Sequence, residues 1–152
     1  NAAVNINKPR GSLESLDDVT AIFKAQPEET MINFLKASIK TNKEETEDIK
    51  KLHQAYSDGR FEELIPLLEE TEQRTLKLVD TKYAKAMSDW LKNDLLIRRN
   101  QAWLPKIRKQ SAKQSTLFAV GIAHLPSEKG LIELLRQEGY QVTPEPKVLI
   151  WQ

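Results

Sequence analysis

The fold is predicted from the stretch TLFAVGIAH, residues 116–124. The part Thr116–Ala123 is a nearly unbroken apolar run of strand length, which is typical of a strand buried on both faces. A helical pattern then begins at Ser127 and ends at Gly139, and a second strand-like segment, Tyr140–Val142, follows it. We expect the two segments to be neighbouring parallel strands bridged by that helix, which makes a right-handed βαβ unit. The predicted fold class is therefore α/β.

Upstream of this unit, residues 11–113 have the pattern of a mostly helical region. Ser15 suits the N-cap of the first helix, and acidic residues follow it in the first turn. Gly59 stands where a helix ends in a left-handed residue. A long amphipathic pattern runs on toward Pro105, which is expected to kink or restart the helix near residues 100–104 because proline lacks an N–H. The chain is thus predicted to be helical for most of its length.

The two ends of the chain carry weaker signals. Residues 1–10 are compatible with an arm or a short strand, and Asn1–Ala2 are compatible with a cloning remnant. Residues 11–152 are predicted to belong to one domain, with the βαβ region over 114–152. Residues 147–151 are apolar enough to add one further strand.

Composition restricts the chemistry without selecting one reaction. Because the chain contains no cysteine, disulfides, thiolate nucleophiles and cysteine-ligated zinc are excluded. No apolar stretch approaches the ~20 residues of a membrane span. The net charge of +1 favours neither a nucleic acid nor an acidic substrate. The basic stretch 92–113 leaves DNA binding as a weaker alternative, but Trp90 and Trp103 lie on the apolar stripe and are predicted to be core residues, so no nucleic-acid partner is expected.

His124 is the most informative candidate for chemistry. In open α/β sheets, ligands bind where the carboxyl end of a strand meets the next helix. His124 lies at that point, and the small residues Gly121 and Ala123 leave room beside it. A neutral imidazole there could bind a metal or transfer a proton. The alternative is a histidine that only caps a turn, and spacing by itself favours that alternative.

Further candidates are a carboxylate and an Arg-Asn pair. Glu14 precedes a helix cap and could bind metal or act as a general base, or it could be an acid favoured by the helix dipole. Arg99 and Asn100 lie on a helix among other basic residues, where arginine either binds an anion or stays on a solvated face. His53, the other of the two histidines, is predicted to be a surface residue or one with its hydrogen bonds satisfied.

Several segments together resemble the C-terminal signature of the TraB/GumN family, which includes the Tiki membrane proteases. The resemblance covers roughly residues 11–146, and its ordered set of motifs is more specific than any one motif. The matching segments are LES (13–15), YSDG (56–59), LIRRNQAW (96–103), LFAVGIAHL (117–125), GL (130–131), LL (134–135) and GYQV (139–142).

The resemblance implies a fold related to ChaN and erythromycin esterase. It also implies an active centre with two GxxH motifs, a glutamate and an arginine, which in Tiki proteins supports metal-dependent proteolysis with manganese or cobalt. By position, His124 corresponds to the second GxxH histidine and Glu14 to the motif glutamate, while Arg99 and Asn100 correspond to the Arg-Asn pair. The implied catalytic residues are Glu14, Arg99 and Asn100, and the implied metal ligands are His124 and Glu14.

The chain departs from the family pattern in three places. Ser127 stands where the family usually has glycine, and Arg98 stands where an acid often precedes the Arg-Asn pair. The sequence contains a single GxxH, which ends at His124. We therefore expect the first GxxH to lie upstream of residue 1, so that this chain holds half of a site and binds no metal by itself.

The expected function is the C-terminal portion of a metal-dependent hydrolase, with peptidase activity as one option and no turnover by this chain on its own. The substrate would be a peptide or a small molecule, and the resemblance implies a periplasmic or otherwise extracytoplasmic location. Glu14, Arg99 and His124 should then lie within ~10 Å of one another on one concave surface. The alternative is a non-catalytic module that binds a peptide or a partner through an apolar groove along residues 76–97.

Overall fold

The computed structural model describes residues 8–143. The chain divides into two compact units, residues 1–99 and residues 100–152. The helical region predicted over residues 11–113 spans this boundary. Each unit is described separately below.

The first unit is built from helices. Their bounds are α1 Leu16–Lys24, α2 Glu28–Lys40, α3 Asn42–Asp58, α4 Leu64–Leu76 and α5 Thr81–Asp89, with a 3₁₀ turn Phe61–Glu63 before α4 and a π-helix Trp90–Ile97 after α5. The π-helix continues directly into α6, Arg98–Ser111.

The starts and ends of these helices follow the capping residues. Ser15 and Asp18 form a capping box, in which the Ser15 N–H donates to the Asp18 carboxylate at 2.9 Å and the Asp18 N–H donates to the Ser15 hydroxyl at 3.1 Å. Gly59 ends α3 with φ of 73°, a left-handed conformation that suits glycine. Both predicted boundaries are confirmed. Asp80 caps α5 by accepting from the Lys82 N–H at 2.9 Å.

The core of the first unit lies where α2, α4 and α5 meet the π-helix. Trp90 is its largest member, and its indole Nε1–H donates to the Ile22 carbonyl at 3.2 Å. The Phe23 ring meets Trp90 edge to face with the ring centroids 5.2 Å apart. The buried members are Ala37, Leu76, Val79, Met87 and Trp90. Trp90 is therefore a core residue, as predicted.

A buried polar cluster joins α3 to α4. The Asp48 carboxylate accepts from the Arg74 guanidinium at 2.6 Å and from the Thr71 hydroxyl at 3.1 Å. Burial raises the pKa of Asp48, but the hydrogen bonds from Arg74, Thr71 and Lys51 outweigh it and hold that pKa below its ordinary value. One turn earlier, the Glu45 carboxylate accepts from the Thr75 hydroxyl at 2.9 Å. The cluster keeps a charged group buried by supplying it with partners.

The long helical stretch that runs through the π-helix into α6 is irregular at a different place from the one predicted. Pro105 lies inside α6, and the helix continues through it to Ser111. The irregular part is instead the π-helix Trp90–Ile97, where each hydrogen bond spans five residues rather than four. A single proline removes one backbone donor, and a helix can continue through that loss when its other side chains are packed. Trp103 and Ile107, which flank Pro105, are buried.

The second unit contains most of α6, a segment without regular secondary structure, a 3₁₀ turn Ile122–His124 and a final helix α7, Leu131–Gln137. Gly139 follows α7 with φ of 86°, and the Tyr140 N–H donates back to the Leu135 carbonyl at 3.0 Å. The predicted stop at Gly139 is confirmed. The helix itself begins at Leu131 rather than at Ser127, because residues 125–130 form bends and turns.

The predicted βαβ unit is wrong. Among residues 8–143 there is no β-strand, so neither Thr116–Ala123 nor Tyr140–Val142 forms part of a sheet. Residues 115–121 have no regular secondary structure, and no neighbouring strand in the described part of the chain supplies ladder hydrogen bonds. Leu117 is 91% exposed, which contradicts burial on both faces. An apolar run predicts that a segment favours burial, and it does not guarantee the partner that a strand requires.

Some predictions lie outside the described residues. The strand proposed for residues 147–151 lies there, as does most of the predicted N-terminal arm. No helix within residues 8–143 is long and apolar enough to cross a bilayer.

Candidate functional site

Glu14 is held in a short turn at the entrance to α1. The Ser12 hydroxyl donates to the Glu14 carbonyl at 2.5 Å, and the Glu14 N–H donates back to the Ser12 hydroxyl at 3.3 Å. The next residue, Ser15, is fixed by the capping box with Asp18. The backbone on both sides of Glu14 is therefore constrained, which gives its carboxylate a defined direction.

The Glu14 carboxylate forms a two-point ion pair with Arg99. The Arg99 Nε–H donates to Oε2 at 3.0 Å, and the Nη2–H donates to Oε1 at 2.5 Å. The Arg99 side chain is 21% exposed and the Glu14 side chain 18%. A third donor, Nη1 of Arg99, is bound to the Leu95 carbonyl at 3.0 Å. Both residues belong to the first unit, and this geometry matches the fork of guanidinium to carboxylate.

Asn100 is buried in α6 of the second unit and binds His124. The Oδ1 of Asn100 lies 2.7 Å from Nδ1 of His124, and the Asn100 Nδ2 group donates to the carbonyls of His124 at 3.2 Å and Lys129 at 2.9 Å. Asn100 is 2% exposed and His124 6%. The ring of Trp103, one turn along the same helix, lies 4.5 Å from the His124 ring between centroids. His124 is thus held by a neighbouring element rather than only inside its own turn.

The loop after His124 is unusually tight. Ser127 has φ of 78°, the left-handed region that residues with a Cβ seldom adopt. This is the position where the resemblance leads us to expect glycine, and the backbone conformation explains that preference. A Cβ added to Gly130 would lie 1.9 Å from the Pro126 carbonyl oxygen, so only glycine fits there. The loop closes when the Ile132 N–H donates to the Leu125 carbonyl at 3.2 Å.

The TraB/PrgY/gumN family matches residues 1–144. The chain belongs to the TraB/PrgY/gumN family. It is also similar to the Danio rerio protein named Metalloprotease TIKI2, with 31% identity over 75 residues, which is 45% of this chain and 14% of that protein. The chain therefore spans a small part of that relative's length. No solved structure matches the chain.

Membership of the TraB/PrgY/gumN family raises the question of a metal. Within residues 8–143, no three residues among His, Asp and Glu form a group that could hold a metal ion. His124 suits one ligand position, because a ring fixed through one nitrogen is how metal-binding histidines are usually oriented. Both carboxylate oxygens of Glu14 face Arg99. The described residues therefore fit a single ligand position rather than a complete metal site.

The structure brings the four predicted site residues together in two pairs, Glu14 with Arg99 and Asn100 with His124. The predicted approach of Arg99 to His124 stays a prediction, because the two pairs belong to different compact units. His53 is exposed, as predicted.

Sequence reasoning missed two groups that position His124. The Trp103 ring lies against the imidazole, and the Lys129 carbonyl shares the Asn100 amide. The spacing of Asn100 and Trp103, three residues apart on one helix, places them on one face and could have revealed the first of these groups.

Proposed function

We propose that this chain is the C-terminal portion of a metal-dependent hydrolase of the TraB/PrgY/gumN family, with peptide bonds as the substrate class. The observation that carries the proposal is the pairing of all four implied residues, Glu14 with Arg99 and Asn100 with His124. A surface glutamate and a turn-capping histidine would need no such partners. The similarity to a metalloprotease supports the choice of reaction class.

In this proposal each residue has one role. His124 would hold a divalent manganese or cobalt ion together with ligands from outside the described residues. The ion, when bound, would supply a water molecule that is acidic enough to act near neutral pH. Asn100 orients the His124 ring. Glu14 would act as a further ligand of that ion or as the general base.

Arg99 has a role of its own in the proposed mechanism. The two hydrogen bonds to the Glu14 carboxylate fix the position of its guanidinium before substrate arrives. A fixed cation can stabilise an anionic intermediate without the cost of reorganising during the reaction. Arg99 would therefore stabilise negative charge that develops on the substrate.

The non-catalytic alternative, a module that binds a peptide or docks a partner through the helical region, would be favoured by an accessible apolar groove along residues 76–97. Leu76, Val79, Met87 and Trp90 are instead buried in the core of the first unit. Burial of these four side chains counts against a peptide-binding groove that they would line, and the hydrolase is the better supported function.

The test compares this chain with a longer natural protein that carries a second GxxH upstream. Both are incubated with manganese or cobalt and a fluorogenic peptide library. We expect no turnover by the 152-residue chain, because a site with one histidine should be weak and open. We expect turnover by the longer protein that falls at least 100-fold in His124→Ala and Glu14→Gln variants.

A matched control is His53→Ala, which removes an exposed histidine and should leave turnover unchanged. Equal turnover by the longer protein and its His124→Ala variant would remove His124 from the mechanism. Robust metal-dependent turnover by the 152-residue chain alone would show that a different set of residues forms the site.

A further inference from the structure

The Asn100 amide has one orientation that its neighbours permit. A backbone carbonyl can only accept a hydrogen bond, and two carbonyls, those of His124 and Lys129, lie against one end of the amide. The amide NH2 must therefore face these carbonyls. The amide oxygen must face the imidazole, where it lies 2.7 Å from Nδ1. A flipped amide would place its oxygen against two other oxygens.

This orientation determines the proton position on His124. An amide oxygen can only accept, so Nδ1 of His124 must be the donor and carry the hydrogen. In the neutral ring the lone pair is then on Nε2. A histidine in water favours the opposite tautomer, with the hydrogen on Nε2. The buried amide thus selects a form that the free side chain does not prefer.

The ring plane is constrained by the same helix. Trp103 is buried on α6 one turn after Asn100, and its ring is tilted 42° to the imidazole with the centroids 4.5 Å apart. One turn of α6 therefore supplies both the hydrogen bond at Nδ1 and the packing against the ring face. These two contacts restrict rotation of the imidazole about the bond to Cβ.

We propose that Asn100 is a positioning residue that holds His124 as the Nδ1–H tautomer and leaves Nε2 as the nitrogen that binds the metal. The tautomer follows from the hydrogen bonds alone, whereas the assignment of Nε2 as the metal-binding nitrogen rests on the proposed function. Asn100 has no contact with reacting atoms in this account, and it acts only through His124.

The tautomer can be read directly by long-range ¹H–¹⁵N NMR of the uniformly labelled 152-residue protein at pH 8. The chain has two histidines, and a His53→Gln variant assigns the two sets of ring signals. We expect His124 Nδ1 to resonate in the range of a protonated ring nitrogen and Nε2 in the range of an unprotonated one. His53, which is exposed, should show averaged shifts biased toward the Nε2–H form. The reverse pattern at His124 would overturn the proposal.

Two substitutions separate positioning from simple packing. Asn100→Leu has a similar volume and no acceptor, so His124 should move to a mixture of tautomers. Asn100→Asp keeps an acceptor for Nδ1–H and should restore the Nδ1–H pattern. A folded Asn100→Leu protein that retains the native pattern would contradict the inference. If circular dichroism shows that Asn100→Leu is unfolded, the ¹H–¹⁵N spectra of the native protein and of Asn100→Asp still decide which tautomer His124 adopts.

Cobalt alone then separates this inference from the proposed function. Titration with Co²⁺ of the longer protein that carries a second GxxH upstream should broaden or shift the His124 ring signals before those of His53, and Asn100→Leu should weaken that binding by about 10-fold or more. An Nδ1–H tautomer with no cobalt effect at His124 would leave the positioning inference standing and count against the metal site. A cobalt effect with the Nε2–H tautomer would overturn the positioning inference and leave the metal site standing.

Discussion

Glu14 and Arg99 meet through two parallel hydrogen bonds although 85 positions separate them in the chain. Arg98, the preceding residue, has a side chain that is 75% exposed and pairs with Asp94, four residues earlier. Two consecutive arginines thus have different environments. Arg98 pairs with a residue one helical turn earlier, whereas Arg99 connects the turn before α1 to the start of α6.

This contrast gives a matched test of the ion pair. Arg99→Lys keeps the positive charge but loses the two parallel hydrogen bonds of the guanidinium to Glu14. It should lower the free energy of unfolding by about 1.5–3 kcal/mol, as expected for hydrogen bonds to a charged group. Arg98→Lys should change it by less than about 0.5 kcal/mol, because its pair is exposed. Urea denaturation measures both. Combination of Arg99→Lys with Glu14→Gln should cost less than the sum of the two single changes, and strict additivity would contradict a direct pair.

The left-handed Ser127 predicts a stabilising substitution. Ser127→Gly removes the strain of a Cβ at positive φ, offset in part by the greater flexibility of glycine in the unfolded chain. We expect the free energy of unfolding to rise by about 0.5–1 kcal/mol. Ser127→Ala keeps the Cβ and should give no gain. A lower melting temperature for Ser127→Gly would show that the serine hydroxyl stabilises this turn more than its backbone strains it.

Gly130 predicts the opposite result in the same loop. Its backbone angles, φ of −75° and ψ of 158°, are open to any residue, so the constraint is only steric. A Cβ there would lie 1.9 Å from the Pro126 oxygen and 2.4 Å from the Leu125 oxygen. Gly130→Ala should therefore cost about 2 kcal/mol or more, because backbone has to move. Gly11→Ala is the control, since a Cβ at Gly11 meets no atom within 4 Å. Equal melting temperatures for the two variants would contradict the packing described for this loop.

The buried Asp48 predicts how stability depends on pH. Its pKa is lower in the folded protein than in the unfolded chain, so Asp48 stabilises the fold above its ordinary pKa of about 3.9 and loses that contribution as the pH falls through the folded value. The free energy of unfolding should thus decline in acid, and Asp48→Asn should make the decline shallower. Glu47→Gln removes an exposed carboxylate paired with Lys50 and should leave the decline unchanged. Thermal unfolding between pH 2 and pH 7 measures all three proteins, and identical slopes for the native and Asp48→Asn proteins would be the contrary result.

The helical part of the fold was predictable because its signals are local. Ser15 with Asp18 and the glycine at position 59 act within one turn of chain, so sequence alone places those helix ends. The strands were not predictable, because a strand depends on a partner that may lie anywhere in the chain or outside it. Thr116–Ala123 has the composition of a buried strand and lacks a partner among residues 8–143.

The candidate site was predictable only through the family resemblance. Residue types and spacing by themselves favoured a turn-capping His124 and a solvated Arg99. The pairs Glu14–Arg99 and Asn100–His124 join residues far apart in sequence, and no local pattern encodes such contacts. The buried network around Asp48 was missed for the same reason, since Asp48 and Arg74 lie on different helices of a charged region that resembles a solvated surface.

The number of residues in the π-helix Trp90–Ile97 is as important for the position of Arg99 as the side chains of that helix. Successive residues are rotated about the axis by about 100° in an α-helix and by less in the wider π-helix, so loss of one residue here would turn Arg99 about that axis unless a π turn tightened to an α turn. Arg99 would then leave the side on which it meets Glu14, even though every side chain of the ion pair were kept. Relatives of this chain should therefore tolerate exchanges within Trp90–Ile97 far better than a gap of one residue, and an alignment that places a gap there would assign the wrong arginine to Glu14.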